Sequence, residues 1–499
     1  GAIAFDSFEN LIGGSAEDDC VFADGFNATG SLDGGPGPGT DTLNYAAWTS
    51  PLTIDLESFA TGFEQVTGGS DADTLVGPDA VNAWSISAPD AGSVGPVSFS
   101  SFENLTGNSQ ADTFTFSAAG SLSGGVDGGG ALDELRGPDA VTTWTVSGGD
   151  TGSLDPLGGV FTSVESLTGG AQADTFNIAG AGMLTGALDG GLGFDIVAYT
   201  GTGPVSVNLQ IAGATGLASF ADIDRFEGSA AGDTLIGPDT VSAWNITAAD
   251  AGAVAAVEFA FFENLTGGTA DDTFTFQDGA DMSGTITAGG GDDTLDYGLW
   301  TSNLTIELAR RVGFDTLIGG VATDTLIGED AVNNWQITGA NAGTLAGLDW
   351  SGIESITGGA LADTFTFTAP GAELSGLLDG GSGDDTAIGP DVATAFTLAG
   401  GNEGTLGATD FTGIESLTGG AAGDTFMFNA SGSLAVLLDG GGGTDTLSFA
   451  PRSTAVMVDL QSLNATDINA FASIEDVVGS SVLDTIRGPD AINVWAIDM

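Results

Sequence analysis

Aspartates set a fixed distance behind paired glycines are the residues of this chain whose type and spacing could do chemistry. The fullest form, Asp-Gly-Gly-x-Gly-x-Asp, runs from Asp189 to Asp195, from Asp379 to Asp385 with Asp384 beside its last residue, and from Asp439 to Asp445. Glycine tolerates positive φ and close backbone approach, so such a turn can fold its carbonyls inward. The aspartate then sets a carboxylate beside them. Together they offer the all-oxygen shell that a hard cation such as Ca²⁺ prefers. Less regular versions end at Asp41, at Asp133 and at the pair Asp292 and Asp293. A looser frame, Gly-Gly-x-x-x-Asp-Thr, places Asp73, Asp174, Asp272, Asp324, Asp363 and Asp424, and degenerate copies at Gly107, Gly228 and Gly479 add Asp112 to the candidate ligands.

A second regularity accompanies the loose frames. Nine of the ten have an acid nine positions before the aspartate: Glu9, Glu64, Glu103, Glu165, Glu263, Asp315, Glu354, Glu415 and Glu475. The pair could share a cation across a turn. It could equally be an outward strand residue followed by a turn former that caps its own backbone.

The repeat Gly-Gly-x-Gly-x-Asp-x-U-x, with U a large apolar residue, is a calcium-binding signature. Gly190 to Ala198 and Gly440 to Ser448 fit it at every position, and Gly380 to Ile388 fits except for Ala387. On these residues the chain resembles the RTX, or haemolysin-type, calcium-binding repeat proteins, and more broadly the giant repetitive surface adhesins of bacteria. The resemblance implies a secreted protein that folds on calcium outside the cell, with Asp195, Asp385 and Asp445 at its ion sites. That family's nonapeptides run in tandem, whereas the frames here recur at about 20 or 40 residues. The tandem nonapeptide roll is therefore not carried over.

Three segments alternate to position these frames. A strand-like Phe-Glu-Asn-Leu or Ile-Glu-Ser-Leu runs into the loose frame, the Asp-Gly-Gly segment follows, and a Gly-Pro-Asp-Ala-Val-x-x-Trp segment comes third. Units start near residues 8, 102, 164, 262, 353 and 414, so residues 1–499 read as one continuous array. Their intervals are near-multiples of about 20 residues, and the longer ones contain YAAWTSPLTIDL or its sister YGLWTSNLTIEL as an inserted pair of rungs. Alternation in Thr113 to Phe116, Thr273 to Phe276 and Thr364 to Phe367 is that of half-buried strands. The expected fold is all-β, a right-handed parallel β-helix or β-roll solenoid with rungs of about 20 residues. About 25 rungs at ~4.8 Å would make a rod on the order of 120 Å long. Trp84, Trp144, Trp244, Trp335 and Trp495 are expected in its core rather than as a carbohydrate-stacking row, since Phe396 replaces one of them.

Composition narrows the function. Among 499 residues are 83 glycines, 68 acids, six arginines, no lysine, no histidine and one cysteine, for a formal charge of −62. Self-repulsion of that size favours bound or screening cations and excludes nucleic acid and anionic membrane as partners. No apolar run is long enough to insert in a bilayer. Without histidine or lysine there is no Ser-His-Asp triad and no Schiff base. Carboxylate pairs could serve a glycosidase, but no single acid-rich loop breaks the repeat. Thr-x-Thr strands raise ice binding, yet they recur only once per three to five rungs. Cys20 stands where sister repeats have Thr and supplies no disulfide framework. The chain starts at Gly1 and ends in mid-repeat, as an excerpt of a longer array or a fibre protomer would. These observations point to a non-enzymatic, extracellular, cell-surface structural protein. It would be stabilised by Ca²⁺, with neighbouring copies of itself and surface polysaccharide as partners.

Overall fold

Short runs of alternating apolar and polar residues between glycine-rich turns form strands because every second side chain can enter a core. A computed structural model describes residues 9–491 apart from 27, 156, 157 and 202; Phe8 and Trp495 lie outside the described residues. Among the described residues the fold is all-β, with one short 3-10 turn at Leu308–Arg310. Two compact units divide the chain, residues 1–238 with 250–265 and residues 239–249 with 266–499.

Within each unit, parallel ladders join strands that are not neighbours in the chain, each strand pairing with one two to four strands further on. In the first unit Phe114, Leu135 and Leu167 face one another along one sheet, and Leu75, Leu105 and Val126 along the other. In the second unit Phe274, Leu295 and Leu317 form one such ladder, and Leu326, Ile356 and Leu378 another. All of these pairings are parallel and in register, and their inward residues are buried. Many plain steps along a ladder take 20 to 23 residues, as from Thr305 to Thr325 and from Thr42 to Gln65, while those from Leu32 to Ala60 and from Ile286 to Arg311 are longer.

The Trp segments depart from the expected uniform, wholly parallel rung. Ala83–Ala88 turns back as Ala91–Val94 and forward again as Val97–Ser100, a three-stranded antiparallel meander lying in the plane of the sheet. Thr143–Gly148, Asn334–Gly339 and Ala395–Gly400 open meanders of the same kind. The first reversal puts Asp90, Asp150, Asn341 and Asn402 at φ 50° to 57°. Asp and Asn tolerate this left-handed region better than other side chains. Steps that contain a meander are longer: Trp84 faces Phe114 and Val126 faces Phe161. The unit intervals therefore mix plain and meander steps, not whole multiples of 20. The two sister insertions also differ from a plain pair of rungs, because Thr53–Asp55 and Thr305–Glu307 each begin a new ladder.

Trp84, Trp144, Trp244 and Trp335 are buried, each stacked on the phenylalanine of the facing strand at 4.9 to 6.2 Å and 11° to 17°. Phe396 stacks on Phe426 in the same way, at 4.5 Å. The carbohydrate-stacking alternative is excluded for these rings. The indole N–H of Trp84, Trp144 and Trp335 finds no acceptor, so phenylalanine at 396 forfeits no hydrogen bond.

Candidate functional site

Frame aspartates stand at the foot of each strand, where the chain enters the sheet, and their side chains point inward. Asp41, Asp73, Asp112, Asp133, Asp174, Asp195, Asp272, Asp293, Asp324, Asp363, Asp385, Asp424 and Asp445 are all at most 3 % exposed. Each offers Oδ1 to a backbone N–H one rung earlier. Asn82, Thr142, Ser242, Asn333 and Thr394 donate in this way to Asp112, Asp174, Asp272, Asp363 and Asp424 at 2.6 to 2.9 Å. Those five aspartates donate their own N–H to Oδ1 of Asp133, Asp195, Asp293, Asp385 and Asp445, all at 2.7 Å. The second five donate to Glu165, Asp224, Asp315, Glu415 and Glu475 at 2.8 to 2.9 Å. Shorter series run from Leu52 through Asp73 to Glu103, from Leu304 through Asp324 to Glu354 and from Asp18 through Asp41 to Glu64. Carboxylates thus form a ladder beside the backbone ladders.

The acid nine residues before a frame therefore closes the series below it rather than facing its own aspartate across a turn. Sequence reasoning missed two members. Asp224 is the tenth such acid, nine positions before Asp233, and Asp233 itself accepts from Val205 and donates to Glu263. The spacing that revealed the other nine would have found both.

The second oxygen separates two kinds of frame. In loose frames Oδ2 of Asp174, Asp272 and Asp424 accepts the N–H four residues back, from Gly170, Gly268 and Gly420, at 2.7 to 2.8 Å. Asp73, Asp233 and Asp324 do likewise. In full frames the residue four back has positive φ: Gly191 at +89°, Gly381 at +91° and Gly441 at +82°. Its N–H turns to Asp189, Asp379 or Asp439 instead, at 3.0 to 3.1 Å. Asn108, Gly129, Gly289 and Gly359 also have positive φ. In these seven places, at Asp112, Asp133, Asp195, Asp293, Asp363, Asp385 and Asp445, Oδ2 is buried without a hydrogen-bond partner.

The first glycine of the frame is needed for space, not for φ. A methyl group on Gly190 would lie 2.1 Å from the Asp222 carbonyl oxygen and 2.9 Å from Asp195 Oδ2. Burial pushes the carboxyls of Asp133, Asp195 and Asp385 up to about 6, with neighbouring carboxylates adding to the rise. It also raises Asp73, Asp112, Asp272, Asp293, Asp324, Asp363 and Asp424. All six arginines are paired elsewhere, with Glu134, Glu227, Glu307, Asp281, Asp467 and Asp459.

Calcium takes six to eight oxygens. Asp73, Asp174, Asp233, Asp272, Asp324 and Asp424 have both carboxylate oxygens engaged, and the seven aspartates with a positive φ four residues back leave one oxygen idle each. Asp189, Asp379 and Asp439 are occupied as turn acceptors, while Asp292 and Asp384 lie exposed on their turns. Among the described residues no three acidic or sulfur side chains gather as a metal-holding group. The frame residues in this arrangement do not fit a calcium shell. Asn104 and Asn264, each the first residue of an Asn-Leu-Thr triplet of the glycosylation-acceptor type, are likewise structural, donating Nδ2–H to the carbonyls of Asp73 and Asp233. In comparisons with known proteins, no family model and no curated protein matches this chain, so its own geometry carries the functional argument.

Proposed function

We propose that this chain is an extracellular structural repeat protein, a right-handed two-faced β-solenoid serving as an adhesin stalk or as the body of a cell-surface filament. One observation carries the reading. The residues best suited to chemistry, the frame aspartates, are consumed as hydrogen-bond acceptors that tie each rung to the next. An array built in this way transmits order along its length and presents repeating faces to neighbouring copies or to surface polysaccharide. It carries no catalytic activity. Its stability depends on calcium through the exposed acids of the turns, because 68 acids face only six arginines and their repulsion opposes the compact state.

Circular dichroism and light scattering with and without a calcium chelator test this. Loss of strand signal on chelation at low salt, restored by added calcium, is the expected result; an unchanged signal rejects calcium dependence. Elongated particles or filaments in electron micrographs are expected. Saccharide turnover that disappears with a single Asp or Glu substitution would replace the scaffold reading with an enzymatic one. Ice binding is less favoured, although threonines stack on neighbouring strands more often than their spacing in the sequence suggests. Thr273, Thr294 and Thr316 form one column, but Asp349 ends it.

A further inference from the structure

The meander that Asn334–Gly339 opens interrupts the carboxylate ladder. Asp315 closes one series by accepting the Asp293 N–H at 2.9 Å, and Asn333 opens the next by donating to Asp363 at 2.6 Å. Between them the second turn of the meander, Leu345 to Leu348, carries no aspartate, and a methyl on its Gly347 would meet nothing within 4 Å. A cavity of about 470 Å³ lies there, inside the second compact unit. Leu295, Leu308, Phe314, Leu317 and Leu345 wall it, each at most 9 % exposed, so it reaches the core ladder of the sheet. A cavity of this size with apolar walls and a few polar groups has the usual form of a small-ligand site.

The rim of the cavity is acidic. Asp315 and Glu329 stand on it, both exposed, beside Val312 and Val332, whose side chains are also open to solvent. Glu329 departs from the repeat, because sister segments carry Pro78, Pro138, Pro238, Pro390 and Pro489 at this position. Arg311 contributes to the wall, but its guanidinium is engaged by Asp281 at 3.2 Å, by the carbonyls of Gly284 and Arg310 and by the Tyr297 hydroxyl. Among the described residues no arginine pairs with Asp315 or Glu329. The site therefore combines an apolar interior with two unanswered negative charges, and it has no unpaired cation to hold an anion.

We propose that this cavity binds a small amphiphilic amine, a primary ammonium on an unbranched aliphatic stem. The stem lies among the leucines and Phe314, and the ammonium stays at the rim beside Asp315 and Glu329. A second copy of the chain does not supply this occupant, since the sequence has no lysine and each of its six arginines is already ion-paired. A neutral stem of equal length keeps the apolar burial and forgoes the charge pairing, while a carboxylate on that stem meets repulsion at the rim. Each further methylene taken into the cavity strengthens binding roughly fourfold. The site adds recognition of a small molecule to the scaffold, and it requires neither bound calcium nor filament formation.

Calorimetric titration of the whole chain with n-hexylammonium, n-butylammonium, methylammonium, hexanol and hexanoate tests this. Sodium chloride at about 0.15 M screens the diffuse attraction of a −62 charge for any cation. Hexylammonium is expected to bind at a single site, tighter than butylammonium by roughly fourfold per methylene, with no saturable binding of methylammonium or hexanoate. Glu329→Gln should weaken hexylammonium about twofold to fivefold and leave hexanol unchanged, as loss of an exposed charge pair does. Ala331→Trp, at an exposed residue of the lining, should block both. Methylammonium binding as tightly as hexylammonium would reduce the effect to surface charge and overturn the proposal, and so would hexanoate matching hexylammonium. Unchanged hexylammonium affinity in either variant overturns it as well. If a variant fails to fold, the ligand series on the parent decides alone. The titrations are run at low and at high calcium: competition by calcium makes the rim a metal site and rejects the amine, while indifference to calcium supports it. A folded, calcium-dependent chain that ignores hexylammonium rejects this site alone, and a chain that binds it and keeps its strand signal in chelator rejects calcium dependence alone.

Discussion

Asp174 accepts two backbone N–H groups, from Thr142 at 2.8 Å and Gly170 at 2.7 Å, and gives its own to Asp195. Asp174→Ala strands two buried donors at about 1–3 kcal/mol each, so a loss of roughly 2–6 kcal/mol in denaturant unfolding is expected. Asp174→Asn keeps one acceptor and should lose less. At Asp195 the same Asn change is expected to stabilise at neutral pH, because that oxygen has no donor to lose. Gly190→Ala drives a methyl into a carbonyl and should destabilise by about 1–3 kcal/mol, as overpacking does. Gly203→Ala, with nothing within 4 Å, should leave the midpoint unchanged. The Gly-to-Asp spacing was legible in the sequence, as was the capping role that competed with cation binding. Which oxygen lacked a partner was not, because that follows from the φ of one residue, and Asn108 shows that the residue need not be glycine.

Strand by strand, the apolar alternation named the core among the described residues, including Trp84, Trp144, Trp244 and Trp335. Trp144 is fully buried against Phe176 at 5.7 Å. Trp144→Ala should cost about 3–5 kcal/mol and lower the melting temperature, whereas Trp144→Phe, the natural choice at 396, should cost much less. The meanders were hidden, although their signal was present: Asp or Asn two residues before Gly follows each meander's first strand, at Asp90-Ala91-Gly92, Asp150-Thr151-Gly152 and Asn341-Ala342-Gly343. A fixed rung length read from the spacing of glutamates absorbed those residues into extra rungs. Ladder pairing is a long-range property, and the intervals alone could not separate a long rung from a folded-back one.

For the molecule as a whole, charge and repetition set the behaviour. With 68 acids against six arginines, each arginine already ion-paired, stability should rise with added monovalent salt at neutral pH, as screening weakens self-repulsion. Chemical denaturation in urea, which adds no ions, with sodium chloride titrated in reads this directly. A midpoint independent of salt would mean that the turn acids are already neutralised. The all-β class and the repeat were legible from composition and spacing. The division into two compact units was not, since the same motifs continue across it.

The antiparallel meander bears on how such a chain can be made without error. Its first strand, Ala83–Ala88, is synthesised before Val97–Ser100, yet it takes the place farther from Gln65–Thr67, and the later strand fills the gap. Near-identical rungs invite slippage, because one rung resembles the next closely enough to pair with its neighbour's partner. A slip past a meander would leave three strands with no matching edge. These folded-back segments therefore act as counting marks along a monotonous sequence, fixing register at intervals that the glycine frames alone leave degenerate.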